Sequence, residues 1–263
     1  MASYQTAERH SAKVITDNVL HQRHMIAYNQ AAQLVNGHIL EVGCGEGYGM
    51  ELLAPKATKY MAIDKYNTPI NEGLADFSKI TFEQMNVPPF VGIADNSFDY
   101  IVSFQVIEHI EDDEFFSREL FRVLKPGGKL ILTTPNIKMS LTRNPWHIRE
   151  YTPKQLYQLL DGIFHHVEMK GVFGNDRVME YYEANKKSVR KFTRFDIFDF
   201  QHKLPRRTLQ IPYDILNRIN RNKLHQKNTG LSATIKMEDY YLDQANDSCL
   251  DLFMIAQKKT VQE

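Results

Sequence analysis

Only two cysteines occur in the 263 residues, Cys44 and Cys249, far apart in the chain. They offer no disulfide framework, which fits a reducing compartment. No apolar run approaches the roughly 20 residues that a membrane-spanning helix needs. The polar stretch Met1–Asp17 has no apolar signal core, so a cytoplasmic protein is expected. Net charge is missing too, since 32 Lys and Arg balance 32 Asp and Glu. A chain so balanced is not a binder of polyanions over its whole surface. Repeats and low-complexity tracts are absent. A chain of this length buries roughly three quarters of its unfolded surface without cross-links, so one domain spanning residues 1–263 is expected.

What the sequence does contain is an alternation of strand-like and helix-like segments. Ser11 to Val35 reads as a helix closed by Asn36-Gly37. Strands are expected at His38–Val42, Tyr60–Ile63, Ile80–Met85, Phe98–Phe104, Lys129–Thr133, Val167–Val172 and Cys249–Ala256. Helices are expected at Tyr48–Leu53, at Asp112–Leu124 and from Pro153 to Leu160, the last with Thr152 as N-cap and proline at its first position. The turn Lys125-Pro126-Gly127-Gly128 should stop the second of these. Phe98–Phe104 is apolar almost throughout, as in a strand covered on both faces. Such alternation implies a parallel α/β sheet.

The first strand runs into Glu41-Val42-Gly43-Cys44-Gly45-Glu46-Gly47-Tyr48. Alternating glycines let a backbone turn at positive φ and approach a ligand closely, and a strand–loop–helix of this kind cradles nucleotides. The dinucleotide spacing G-x-G-x-x-G is not met, because Tyr48 or Met50 stands where its last glycine belongs. The pattern here is E-x-G-x-G-x-G. Asp64 ends the second strand, Asp95-Asn96-Ser97-Phe98-Asp99 leads into the fourth, Gln105-Val106-Ile107-Glu108-His109 follows it, and Arg122 to Gly128 precedes the fifth. In this order and spacing, residues 38–136 resemble the class I S-adenosylmethionine-dependent methyltransferases, of the type 11 or type 23-like subgroup.

The resemblance implies an α/β Rossmann-like three-layer sandwich whose seven-stranded sheet is mostly parallel, with the last strand antiparallel. Its cofactor would be S-adenosyl-L-methionine. Carried over position by position, the cofactor contacts are Glu41, Gly43, Cys44, Gly45, Gly47, Tyr48, Asp64, Lys65, Met85, Asn86, Val87 and Gln105. Asp64 would accept both ribose hydroxyls. Asn86 stands where the family usually has an aspartate for the adenine amino group, and its amide carbonyl can still accept that bond. Tyr48 could lie over the donor or belong to the core. The family's Asn-Pro-Pro-Tyr signature of amino methylation is not met: Asn86-Val87-Pro88-Pro89-Phe90 is interrupted and follows the third strand instead of the fourth.

Beyond the fifth strand comes Asn144-Pro145-Trp146-His147-Ile148-Arg149-Glu150-Tyr151. It resembles a segment of methyltransferases linked to glycan and natural-product pathways. His147 is the candidate general base, as its unperturbed pKa lies near neutrality. Arg149 and Glu150 could pair or bind substrate, and His109 reads as structural. His21 with His24, and His165 with His166, lack a third ligand at metal-site spacing, so no metal is expected.

Residues 175–247 break the alternation. They read as a helical insertion before the last strand, with a helical cap at 1–37, a cofactor core at 38–174 and a final strand and tail at 248–263. Between Lys186 and Lys223 eleven Lys or Arg stand against three Asp, so the rest of the chain is net negative. Phe192, Phe195, Phe198 and Phe200 alternate there with charges. A lid over the active site is the expectation. An RNA platform would use the same basic and aromatic pattern, and a membrane surface the same basic amphipathic helix; neither is favoured. The expected function is methyl transfer to a small molecule, most simply O-methylation of a saccharide or secondary metabolite. The alternatives are an RNA methyltransferase and a non-catalytic adenosyl-ligand-binding protein. Oligomeric state is not legible.

Overall fold

The computed structural model describes residues 14–67, 77–194, 196, 199–227 and 229–260. In chain order the elements are α1 (Asn18–Ala32), β1 (Gly37–Val42), α2 (Met50–Leu53), β2 (Ala57–Asp64), β3 (Ile80–Gln84), β4 (Phe98–Phe104), α3 (Asp113–Val123), β5 (Leu124–Pro135), α4 (Pro153–Asp161) and β6 (His166–Gly174). The chain continues through α5 (Asp176–Thr193), α6 (Phe200–Lys203), α7 (Arg206–Lys227), α8 (Thr229–Thr234), β7 (Tyr240–Gln244) and β8 (Asp251–Gln257). Residues 1–13 and 261–263 of the expected cap and tail, and Phe195 and Phe198, lie outside the described residues.

The strands form one sheet in the order β3-β2-β1-β4-β5-β8-β6-β7. Parallel pairing runs from β3 to β5, and β8 inserts antiparallel between β5 and β6. Side chains of the central strands alternate between two cores. Ile101, Leu130 and Leu132 join Phe116, Leu120, Leu156 and Leu160 of α3 and α4, while Val102 and Ile131 join Ala27, Tyr28, Met50 and Leu53 of α1 and α2. A period of two with both sides apolar is what a sheet sandwiched between helix layers demands. The expected three-layer α/β fold is therefore what forms.

Helix starts follow their caps. Asp112 accepts from Phe115 N–H at the start of α3, and Thr152 with Gln155 forms a capping box on α4. Among the described residues α1 runs from Asn18 to Ala32 where a helix from Ser11 to Val35 is expected, several strand ends shift by one to three residues, and three further features differ. The helix after the glycine loop begins at Met50 instead of Tyr48, because Gly47 at φ 81° and the two residues after it still belong to the turn. Lys125-Pro126-Gly127-Gly128 is not a separate turn but enters β5, with Gly127 at φ 77° and its N–H on Lys258 O. An eighth strand, β7, extends the sheet beyond β6, where the sequence reads as part of the helical insertion.

Helices α5 to α8 fill the span between β6 and β7 and are tied back to the chain's start. Buried Asp17 pairs with Arg218 at 3.2 Å and Arg221 at 2.9 Å. Asn18 Nδ2 donates to the carbonyls of Ser232 and Ile235, and Tyr240 OH donates to Val19 O.

A second polar node holds the approach to β4. Arg122 donates to both oxygens of Glu119, to Asp95 and to the carbonyl of Ile93, while Phe90 N–H donates to Glu119. The Arg122 hydrogen bonds hold the Glu119 carboxyl below its ordinary 4.5. A carboxylate lowered in this way stabilises the fold above that ordinary value, and the effect is lost as pH falls through the lower folded value. Glu119→Gln should cost about 1.5–3 kcal/mol at pH 7, and its gap from the parent should close below about pH 4.5. Urea unfolding across pH 3–7 checks this; a gap that persists undiminished in acid refutes it.

Candidate active site

The glycine loop sits at the carboxyl end of β1, where open α/β sheets bind ligands. Gly43 takes φ 78°, and a Cβ there would meet Val106 Cγ2 at 2.4 Å. Gly45 takes φ 57° and faces open space, with nothing within 4 Å of where its Cβ would stand. Its N–H donates to Asp64 Oδ2 at 2.9 Å, and Tyr66 N–H donates to Oδ1 at 2.9 Å. Asp64 is thereby fixed at the rim of the loop, with acceptor capacity left on each oxygen.

Around this loop lies a cavity of about 350 Å³. Nine of the residues expected at the cofactor line it: Gly43, Gly45, Tyr48, Asp64, Lys65, Met85, Asn86, Val87 and Gln105. His24 and Tyr28 of α1 close one side, Phe104 and Trp146 another. Tyr48 lines the cavity and also packs edge-on to His21 and Tyr28. Gln105, the residue after β4, takes φ 56°, a left-handed conformation that a non-glycine residue adopts at some cost.

Glu41, Cys44 and Gly47 are not among the lining residues. Cys44 is buried, and Gly47 turns inward to donate to Cys44 O. Glu41 lies 1% exposed beneath the loop. Tyr28 OH donates to its Oε1 at 2.6 Å, and Tyr60 OH to its Oε2. Burial raises its pKa against the pull of the two hydroxyls. Both oxygens thus accept from tyrosines beneath the loop, and the structure does not bring the Glu41 carboxylate to the cavity wall where a cofactor contact was expected.

A second cavity, of about 530 Å³, adjoins the first and shares His24, Gln105 and His109 with it. Its floor is the end of β5 with residues 139–150, and its walls are α1, α5 and α7. His147 lines it. Nδ1 of His147 lies 2.6 Å from Glu150 Oε1, and Asn144 Nδ2 lies 2.9 Å from Nε2. Because Trp146 N–H donates to Asn144 Oδ1, the Asn144 amide must turn its NH₂ to the ring. The network therefore assigns the ring proton to Nδ1 and the lone pair to Nε2. Glu150 is steadied in turn by Ser140 OH. Arg149 pairs instead with Asp113, which also accepts from Tyr151 OH. His109, expected to be structural, lines both cavities and packs edge-on to His147 at 5.0 Å.

Glu108, His109 and His147 bring one ligand atom each within 4.8 Å of one another. Several of their polar atoms are already engaged: Glu108 by Thr134 OH, His109 Nδ1 by Trp146 O, and His147 by Asn144 and Glu150. Burial raises the Glu108 pKa. Three contacts were not anticipated from sequence: Trp146 Nε1 donating to Asp214 of α7 at 3.0 Å, Arg23 against Asp251 at 3.0 Å, and the Glu108 carbonyl accepting from Ile148 and Arg149 N–H. The local density of functional residues at 144–151 was the one signal available; their long-range partners left none.

Residues 40–132 match the methyltransferase domain family model. A Mycolicibacterium smegmatis protein named a probable S-adenosylmethionine-dependent methyltransferase is 36% identical over 175 residues, 64% of this chain and 68% of its own. This chain belongs to the S-adenosylmethionine-dependent methyltransferases. More distantly, a ubiquinone biosynthesis O-methyltransferase of Xanthomonas oryzae is 31% identical over 107 residues, 39% of this chain and 45% of its own. The fold of this methyltransferase is also that of Haemonchus contortus phosphoethanolamine N-methyltransferase 2, solved with S-adenosyl-L-methionine (TM-score 0.51, 18% identity, 91% of this chain and 53% of that one). The methyltransferase's cofactor is S-adenosylmethionine, and the open space at Gly45 beside Asp64 fits an adenosyl group. No helix among its described residues is long and apolar enough to cross a membrane.

The buried Glu41 yields a stability test. Tyr60→Phe leaves Oε2 of a buried carboxylate without its donor, so unfolding free energy should drop by about 3 kcal/mol. Urea denaturation with an unchanged slope would show it; a loss under about 0.5 kcal/mol would mean that Glu41 is not the anchor described.

Proposed function

We propose that the smaller cavity holds the methyl donor and the larger one a small hydroxyl-bearing acceptor, a saccharide or secondary metabolite, which is O-methylated. The observation that carries this reading is the shared wall. His24, Gln105 and His109 border both chambers, one lined by the glycine loop and Asp64, the other by the His147–Glu150 pair. When bound, S-adenosylmethionine supplies an electrophilic methyl on a sulfonium.

Asp64 would grip the ribose hydroxyls, Gly45 would let the backbone approach, and Asn86 would accept from the adenine amino group between Met85 and Val87. The aromatic rings of Tyr48, Tyr28 and Phe104 can face a cation without reacting with it. On the acceptor side, Asn185, Asn217 and Tyr182 offer hydrogen bonds among apolar neighbours, a lining suited to a molecule with both polar and apolar parts. Alignment supplies most of the rate in such a displacement. His147 adds proton transfer. Glu150 holds its ring, and Nε2 takes the proton of the acceptor hydroxyl once that hydroxyl displaces the Asn144 amide.

Two outcomes test the assignment. Asp64→Ala should weaken binding of S-adenosylhomocysteine by about tenfold or more, the worth of a charge-assisted bond, read by calorimetry; unchanged affinity refutes the ribose role. His147→Ala should lower turnover about 10²–10⁴-fold with donor binding intact, once a labelled-donor screen of cell extract has supplied the acceptor. Near-full turnover in that variant refutes the base.

A further inference from the structure

Helix α7 has two apolar sides, and the fold uses only one. Leu209, Pro212, Tyr213 and Leu216 line the larger cavity. On another side Ile211, Ile215 and Ile219 follow one another at single-turn spacing and are 63, 53 and 39% exposed. Arg207 stands one turn before this row and Lys223 one turn after it, so the same stripe is basic at both ends. Seven Lys or Arg occur between residues 203 and 227 against one acid, Asp214. That acid is buried and accepts from Trp146 Nε1, so the outer surface of α7 carries no negative side chain.

The stripe is continuous with the mouth of the cavity. Phe200 and Leu216 both line the cavity and are 49 and 48% exposed, which places them on its rim. Exposed Leu204, just before α7, adds to the same surface. An apolar helix face flanked by Lys and Arg is the arrangement that lies in the headgroup region of an anionic bilayer.

We propose that this face of α7 docks on an anionic membrane and opens the larger cavity toward it. The methyl acceptor is then an amphiphile, whose polar head enters the cavity while its apolar part stays at the lipid surface. The acceptor half of this inference rests on the role given above to the larger cavity. Two other occupants fit less well. A second copy of the chain, paired by two-fold symmetry, would set the basic ends of the stripe against one another. A nucleic acid would gain little from isoleucines, which present no face for base stacking.

The test uses the full chain and vesicles made of equal parts phosphatidylglycerol and phosphatidylcholine. Flotation should carry the protein with these vesicles but not with phosphatidylcholine alone, and raising the salt from about 0.1 to about 0.5 M should release it. The triple variant Ile211→Gln, Ile215→Gln, Ile219→Gln should bind the anionic vesicles at least about tenfold more weakly. Its affinity for S-adenosylhomocysteine should be unchanged, which shows that it is folded. The docking proposal is overturned if the parent chain stays behind, or if the triple variant floats equally well. It is also overturned if sedimentation shows a dimer that the triple variant abolishes while neither protein binds vesicles. If vesicle binding behaves as expected but no hydroxyl-bearing amphiphile is methylated in their presence, docking stands and the acceptor assignment falls.

Discussion

Beneath the glycine loop, one buried carboxylate ties helix α1 to the paired strands β1 and β2. Glu41 belongs to β1, Tyr28 to α1 and Tyr60 to β2, and the two hydroxyls occupy both carboxylate oxygens. The site depends on this knot. It fixes α1 against the strand that launches the loop, and so sets where His24 and Tyr28 stand over the cavity. It also explains a small residue above it, since a Cβ at Gly49 would meet Tyr28 Cε1 at 2.2 Å and Glu41 Oε1 at 2.7 Å. A buried carboxyl that loses a hydrogen-bond partner is far more costly than the same group with both partners in place, so the loop inherits the rigidity of the knot.

The rest of the site is assembled outward from there. Asp64 closes the loop from β2, Gln105 turns at the end of β4, and residues 144–151 are pinned to the carbonyl of Glu108 and to Asp113. Each anchor lies at the carboxyl end of a strand or just beyond it. The insertion completes the enclosure from the other direction, through Asp17 with Arg218 and Arg221 and through Trp146 with Asp214. The basic charge of the insertion therefore serves two ends: part of it neutralises a buried aspartate at the start of α1, and part stays on the outer surface of α7.

Much of this was legible in the residues themselves. Strands buried on both faces announce themselves as largely apolar runs, so β1 and β4 stand where Ile39-Leu40 and Phe98–Phe104 suggest. Local chemistry was equally plain at Thr152, because a cap acts on its own next three residues. Sequence reasoning failed where the decisive partner is distant. Nothing near Glu41 reveals that tyrosines 13 residues before and 19 after will take its oxygens. The edge strand β7 is five residues long and mostly exposed; its existence depends on β6 offering a row of unpaired backbone groups, which no local pattern discloses.

On the proposed reading His24, Gln105 and His109, which line both chambers, join the donor site to the acceptor site, and any coupling through them is reciprocal. Whatever factor the first guest applies to the second guest's affinity, the second returns to the first. Donor and acceptor would then influence one another's affinity through these three side chains.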